Sequence, residues 1–489
     1  MLTINGRSKR VCSGTTRRDL IRAGGLGMFG LTLPKLLAAE QAQQQLVPTH
    51  GFTPGAEFPV GRAKSVLFIF LFGGPSQLET LDLKPEAPKQ IRGPFQPIDS
   101  RTPGLRISEH LHRTAAMSDR FAVIRSMTHP HNDHNACHYI QTGHKWTRSA
   151  ENGSDVNARP TDWPAMGSVV EYVSQHSSDQ TRTFPDYMYL PNRLGHLQGY
   201  DRTGQYAGWL GNAYNAMATD IRRKSKTDNP FFRDCSEEEL DFRIKGLVSR
   251  NEVSLDRLDR RRSLIEQFDA SRQIVDANRS FNGYGSLQQR ALDLVTSDQI
   301  RSALDIQRES AALRDRYGRH LFGQSVLMGR RMIEAGCRFV TVIWDCPDGY
   351  SWDSHQHSND VRDHLVPKFD QSFSALLTDM EDRGLLDETL VVAVGEMGRT
   401  PKANAAWGRG HWSFCFPCIL AGAGIRGGIT YGKSDKDAAY PTENPVSPED
   451  LAATIYDSLG ISHEIQLPDA QGRPVTILEG GKPQRQLFG

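Results

Sequence analysis

Thr389-Leu-Val-Val-Ala-Val394-Gly395-Glu396-Met-Gly-Arg399 is a charge-free run closed by a glycine and a carboxylate. Continuous apolarity of that length, rather than alternation, is the mark of a strand buried on both faces. Similar runs stand at Lys64–Phe72, Phe121–Arg125, Phe339–Trp344 and Pro417–Ala421. Between them lie stretches of helical period. Leu321–Ala335 carries Phe322, Val326, Leu327 and Met332 on one side, and Val361–Asp382 carries Leu365, Phe369, Phe373, Leu376, Leu377 and Met380. Ser447-Pro-Glu-Asp450 is a capped start for a helix over 448–458. Strands alternating with helices predict an α/β fold, with a mainly parallel central sheet covered by helices on both faces.

The chain has 489 residues, 38% hydrophobic and 24% charged, with a net charge of +1. That balance gives no bulk attraction to nucleic acid, and no run is long enough for a stable membrane anchor. Thr16-Arg17-Arg18-Asp-Leu-Ile-Arg22, a weakly apolar Gly-rich stretch and Leu37-Ala38-Ala39 predict a twin-arginine signal peptide over 1–40. The expectation is a periplasmic or secreted protein handed to the twin-arginine export machinery. Residues 41–62 read as a linker and 63–489 as one α/β domain, with a charged, strand-poor helical insertion at about 215–315. Of the seven cysteines, Cys415 and Cys418 form a lone CxxC on the approach to a strand, where packing is the expected role.

Candidate chemistry gathers beyond the carboxyl ends of the strands, where open α/β sheets bind ligands. Asp353, His355 and His357 follow one apolar run, Glu396 ends another, and His411 sits in Gly408-Arg-Gly-His411-Trp. Carboxylate with imidazole suits a divalent ion such as zinc or manganese. If 353–357 is extended, its alternate residues face one ion. Glu396 needs a metal or an arginine such as Arg399 as partner, because a buried lone carboxylate is costly. Five of the sixteen histidines fall in His129-Pro-His131-Asn-Asp133-His134-Asn-Ala-Cys-His138 and the following His144. Asp133, His134 and His138 are candidates there for nucleophilic or general-base work, with Arg399 steadying an anion. Gly73, Gly74 and Ser76 form a turn suited to an anion cradle or to a plain structural bend, and Arg409 is a second candidate for the anion.

Seven segments carry a resemblance to a known family: 71–85 (LFGGPSQLETLDLKP), 131–144 (HNDHNACHYIQTGH), 317–342, WDSH at 352–355, GEMGRTP at 395–401, GRGHW at 408–412 and 447–460. On these the chain resembles the exported bacterial family called domain of unknown function 1501, itself similar to the alkaline phosphatase and sulfatase superfamily. The resemblance implies a mixed sheet between helix layers, a one- or two-metal site and cleavage of phosphate or sulfate esters. It places Asp353 with His355 or His357, Glu396 and His411 at ligand positions, and Asp133 where a Ser, Thr or Cys nucleophile stands in the superfamily. Gly73 and Gly74 replace a metal-binding aspartate, and Met397 replaces a histidine.

Two functions of different class follow. One is an exported metal-dependent hydrolase acting on a small-molecule or polysaccharide ester. The alternative is a non-catalytic metal- or polysaccharide-binding protein on a degenerate hydrolase fold. A third, an esterase with Ser76 as nucleophile, lacks the G-x-S-x-G elbow.

Overall fold

The strand β1 (Ser65–Phe70) lies at the centre of a nine-stranded sheet, with every residue buried. A computed structural model describes residues 61–147, 156–177, 184–221, 224–225, 228–244, 297–345 and 351–489. The expected leader, most of the expected linker, Cys12, Cys346 and residues 245–296 of the expected insertion lie outside the described residues.

The other strands are β2 (Phe121–Met127), β3 (Tyr187–Leu190), β4 (Met217–Asp220), β5 (Arg243–Ile244), β6 (Phe339–Ile343) and β7 (Thr389–Val394). Two short strands, β8 (Gly398–Arg399) and β9 (His411–Trp412), form a separate ribbon, and β10 (Phe416–Ala421) and β11 (Ile429–Tyr431) complete the sheet. The order across the sheet is β11-β2-β10-β7-β1-β6-β3-β4-β5. Only β10 and the edge strand β5 run against their neighbours. β1 pairs in parallel with β6 (Val66 opposite Phe339) and with β7 (Ser65 opposite Thr389).

Strand alternation sorts β1 onto two cores. Leu67 and Ile69 join one with Phe322 and Val326 of α3 (Leu321–Glu334) and Phe369 and Phe373 of α4 (Val366–Asp382). Val66, Phe68 and Phe70 join the other with Val169 and Val170 of α2 (Met166–Ser177) and Leu451 and Ile455 of α5 (Pro448–Ser458). The helix-covered, mainly parallel sheet read from the sequence, with the mixed order that the resemblance implied, is therefore the fold. The start of α5 is a capping box: Ser447 Oγ accepts from Asp450 N at 3.2 Å, and Asp450 Oδ2 accepts from Ser447 N at 2.9 Å.

Two local expectations need correction. The stretch 215–315 contains strands β4 and β5 as well as the helix Asp298–Leu304. β4, next to the edge, has four residues and the edge strand β5 has two, too few to show as an apolar run. The helix expected over 361–382 opens with a wider turn at 361–365, where Val366 N–H bonds the Val361 carbonyl five residues back. Pro367, which has no N–H to give, sits in the first turn of α4 just after it. Cys415 and Cys418 are buried and unbridged. No helix among the described residues is long and apolar enough to cross a membrane.

Candidate metal centre

Parallel strands β1, β2, β6 and β7 deliver their carboxyl ends to one edge, and antiparallel β10 starts there. The loops after them meet in one cluster. Gly73 and Gly74, at φ 107° and 79°, make the bend after β1. Gly73 N–H donates to both oxygens of Glu396, at 2.9 and 3.1 Å. Glu396, fully buried just past β7, also meets His134 Nδ1 at 2.7 Å. Its charge is thus balanced by an amide and an imidazole, not by Arg399.

His134 turns its other nitrogen to Asp353, with Nε2 to Oδ2 at 3.2 Å. Asp353 Oδ1 takes His355 Nε2 at 2.9 Å, His411 Nε2 at 3.3 Å and Arg399 Nη2 at 2.5 Å. The two imidazoles His355 and His411 approach to 2.9 Å. Three imidazoles and a guanidinium therefore converge on one carboxylate. Burial raises the Asp353 pKa, but the hydrogen bonds of His134, His355 and His411 and the charge of Arg399 outweigh it and hold the carboxyl well below the usual range. Burial also disfavours charge on His134, yet its bonds to Asp353 and Glu396 push it up to about 9. His134, Asp353 and His411 each offer one ligand atom, and those atoms lie within 4.8 Å of one another.

Neighbouring groups lock the loops. His129 Nε2–H donates to the Glu396 carbonyl at 2.6 Å, and burial lowers this imidazole to about 4, so it stands neutral. Asn132 bonds the His411 carbonyl (3.2 Å) and Ser413 N (2.9 Å), tying the histidine loop to β9. Gln77 Nε2 donates to the Arg399 carbonyl at 2.8 Å while its Oε1 accepts Arg399 N at 2.9 Å. None of His129, Asn132 and Gln77 stood out as a locking residue in the sequence. Their only signal is membership of the two family-like segments or the histidine-rich loop.

Other expected residues sit elsewhere. Asp133 is exposed and its Oδ1 accepts Asn135 N–H at 2.8 Å, within the turn leading into α1 (Ala136–Thr142). His138, inside α1, is buried with Nδ1 2.9 Å from Thr203 Oγ1 and its ring against Trp146. His357 is not among the groups around Asp353; its backbone bridges Trp407. The alternation argument fails there because 352–355 is curled: Ser354 N bonds Trp352 O and His355 N bonds Asp353 O, each two residues back. The Gly73 amide expected to cradle an outside anion is taken by Glu396. Arg399 and Arg409 are buried and committed internally. Arg399 bonds the Gly73 and Gly74 carbonyls as well as Asp353, and Arg409 bonds Glu79 at 3.0 Å and the carbonyls of Ile91, Thr400 and Pro401. Ser76 is buried and its hydroxyl has no hydrogen-bonding partner, so no base activates it.

The family described as "Protein of unknown function (DUF1501)" matches residues 63–488. The chain belongs to the DUF1501 family. A search of curated proteins gave no match for this DUF1501 protein. Among solved structures it is similar to the phosphonate monoester hydrolase SpPMH from Silicibacter pomeroyi (14% identity, 86% of this chain and 78% of that one, TM-score 0.35). It is also similar to the lipoteichoic acid synthase LtaP from Listeria monocytogenes (10%, 90% and 80%, TM-score 0.35). A third is a protein in the alkaline phosphatase superfamily from Vibrio parahaemolyticus (10%, 86% and 75%, TM-score 0.34). Likeness at this level bears on neither activity nor substrate.

Proposed function

We propose that this DUF1501 protein is an exported metal-dependent hydrolase of phosphate or sulfate esters. The observation that carries the reading is the convergence of His134, His355 and His411 on Asp353, with buried Glu396 behind His134. The donor set fits a divalent ion: two imidazoles and a carboxylate with ligand atoms within 4.8 Å suit zinc or manganese. His134, Asp353 and His411 would hold it. When bound, such an ion polarises the ester oxygen and neutralises charge developing on it.

The remaining work belongs to the chain. Glu396 fixes the His134 ring through Nδ1 and leaves Nε2 for the centre, the arrangement in which a carboxylate orients a ligand histidine. Arg399 holds the Asp353 carboxylate from the side of the Gly73–Gly74 turn. His355 is the exposed member of the cluster. It is the group in position to pass a proton from Nε2 to the leaving alkoxide as water adds to phosphorus or sulfur and the ester bond breaks; the attacking water's proton then returns to His355, leaving the alcohol and the free phosphate or sulfate.

The test is metal content and ester turnover of mature protein beside His411→Ala. One zinc or manganese per chain, lost in the variant together with hydrolysis of 4-nitrophenyl phosphate or sulfate, is the expected result. Full activity in chelator-stripped protein would overturn the reading. The non-catalytic alternative draws support from the placing of Asp133 and Ser76, which leaves no hydroxyl, thiol or free carboxylate in the cluster as a nucleophile among the described residues. Stoichiometric metal with no turnover on an ester panel would favour it.

A further inference from the structure

Trp407 is one of four non-glycine residues with positive φ among the described residues, at 69°. A bulky aromatic side chain is a poor occupant of left-handed backbone, and such residues persist where surroundings over-determine them. Here the surroundings are explicit. Asn404 Oδ1 accepts Ala406 N and Gly408 N, both at 2.9 Å, while the Asn404 carbonyl accepts Trp407 N at 3.2 Å. Asn404 Nδ2 reaches across to the carbonyls of His355 (3.0 Å) and Gln356 (3.2 Å). Gly408 lies so close to this segment that a Cβ would sit 2.1 Å from the His355 carbonyl oxygen. The Trp407 loop is therefore bolted to the segment that carries Asp353 and His355.

That construction does not serve the interior. Trp407 belongs to neither hydrophobic core and is only half-buried. Over its ring, 5.8 Å from the centroid, stands the exposed Lys89 ammonium. Lys89 is placed by its neighbours: Ala403 N donates to the Gln90 carbonyl at 2.9 Å, and Arg409 Nη2 to the Ile91 carbonyl at 2.9 Å. Three segments, 89–91, 403–409 and 355–357, thus combine to present an aromatic face and a cation beside the metal-type cluster.

We propose that Trp407 and Lys89 form a second subsite on the rim of the centre, binding a pyranose ring that carries a negative charge of its own. The assignment rests on the reading of the cluster as a centre for anionic esters, and it specifies the substrate as a polyanionic saccharide. The apolar face of a sugar ring stacks on indole, and an exposed ammonium selects a sulfate or phosphate group on that ring. Strained backbone bolted to the segment that carries Asp353 and His355, with no core contact to justify it, is what a functional role for Trp407 would leave behind.

The experiment compares metal-loaded mature protein with Trp407→Ala, Trp407→Gly, Trp407→Phe and Lys89→Gln. Calorimetry would use a sulfated heparin-derived tetrasaccharide and its desulfated counterpart, and turnover would use 4-nitrophenyl sulfate and phosphate. Trp407→Ala and Trp407→Gly should weaken the sulfated tetrasaccharide at least tenfold, and Trp407→Phe should recover most of that loss. Lys89→Gln should erase the preference for the sulfated form, and small-ester turnover should not move. Trp407→Gly should melt no lower than wild type, because glycine accepts this backbone, whereas a merely structural tryptophan would lower the melting temperature when removed. Wild type that ignores the tetrasaccharide, or variants that bind it as wild type does, would overturn the subsite and leave the hydrolase reading standing. Tetrasaccharide binding that depends on Trp407, with no turnover of either small ester, would instead sink the hydrolase reading and keep the subsite.

Discussion

Replacing Gly73 by alanine tests whether the turn after β1 sets the position of Asp353. Gly73 sits at φ 107°, and its added Cβ would meet Asp353 N at 2.5 Å, Ser351 Oγ at 2.8 Å and Trp352 C at 2.9 Å. Two of these are backbone atoms with no freedom to step aside. Gly104 supplies the control, with φ 78° and nothing within 4 Å of its Cβ. Gly104→Ala should cost about 1–2 kcal/mol, the price of left-handed backbone alone. Gly73→Ala carries that term, roughly 1–3 kcal/mol of overlap, and part of the bonds from Gly73 N–H to the Glu396 carboxylate, worth about 1.5–3 kcal/mol. The sum is about 4 kcal/mol, more than twice the control. Because the overlap pushes on the Asp353 amide, the same variant should also bind zinc at least tenfold more weakly. Urea midpoints of the two variants, with zinc affinity by chelator competition, give both numbers. Equal midpoints for the two variants and unchanged zinc affinity would refute the idea that the turn presses on the centre.

Glu396→Gln keeps the shape but removes the charge that orients His134, so zinc affinity should fall about 10–100-fold, and the fold should lose roughly 1–3 kcal/mol as one of the Gly73 bonds goes and the other weakens. Unchanged affinity would mean that Glu396 does not act through His134. Acidification should destabilise the fold through His144 and His320. Burial lowers the first to about 4 and the second to about 3, while the unfolded chain titrates near 6.5. Below 6.5 the unfolded state binds protons that the folded state refuses. The stability they contribute is complete above that pH and drains away between 6.5 and each folded value, by roughly 3 kcal/mol or more per group. Unfolding free energies from pH 7.5 to 4 should show this slope, and His144→Gln should flatten it; a slope unchanged in that variant counts against the assignment.

The central strands were legible because a segment buried on both faces must be apolar throughout, and 389–394 is found where its composition places it. Strands β4 and β5 were not, since strands of four and two residues at and beside the sheet edge are too short to show that constraint. In the cluster, Asp353, His355, Glu396 and His411 could be read from their place beyond strand ends. Choosing His134 over Asp133 and His138 could not, because the turn after β2 decides which of them faces inward. His357 was included on an assumption of extended chain that the curl at 352–355 breaks. The arginines mislead for a related reason. Sequence shows a guanidinium but not whether buried carbonyls and carboxylates have already filled its donors, as they have around Arg399 and Arg409.

The central place of β1 has a consequence for biosynthesis. Its two neighbours begin at Phe339 and Thr389. At roughly 5–20 residues per second, the ~270 residues between Phe70 and Phe339 take about 14–54 s to emerge from the ribosome. Throughout that interval the nascent chain carries an uncovered Val-Leu-Phe-Ile-Phe segment with unpaired backbone on both sides, the composition that seeds intermolecular β stacking. The topology therefore leaves this first segment open to misplaced pairing until translation passes residue 394, a cost carried by the order of the strands rather than by any contact in the finished molecule.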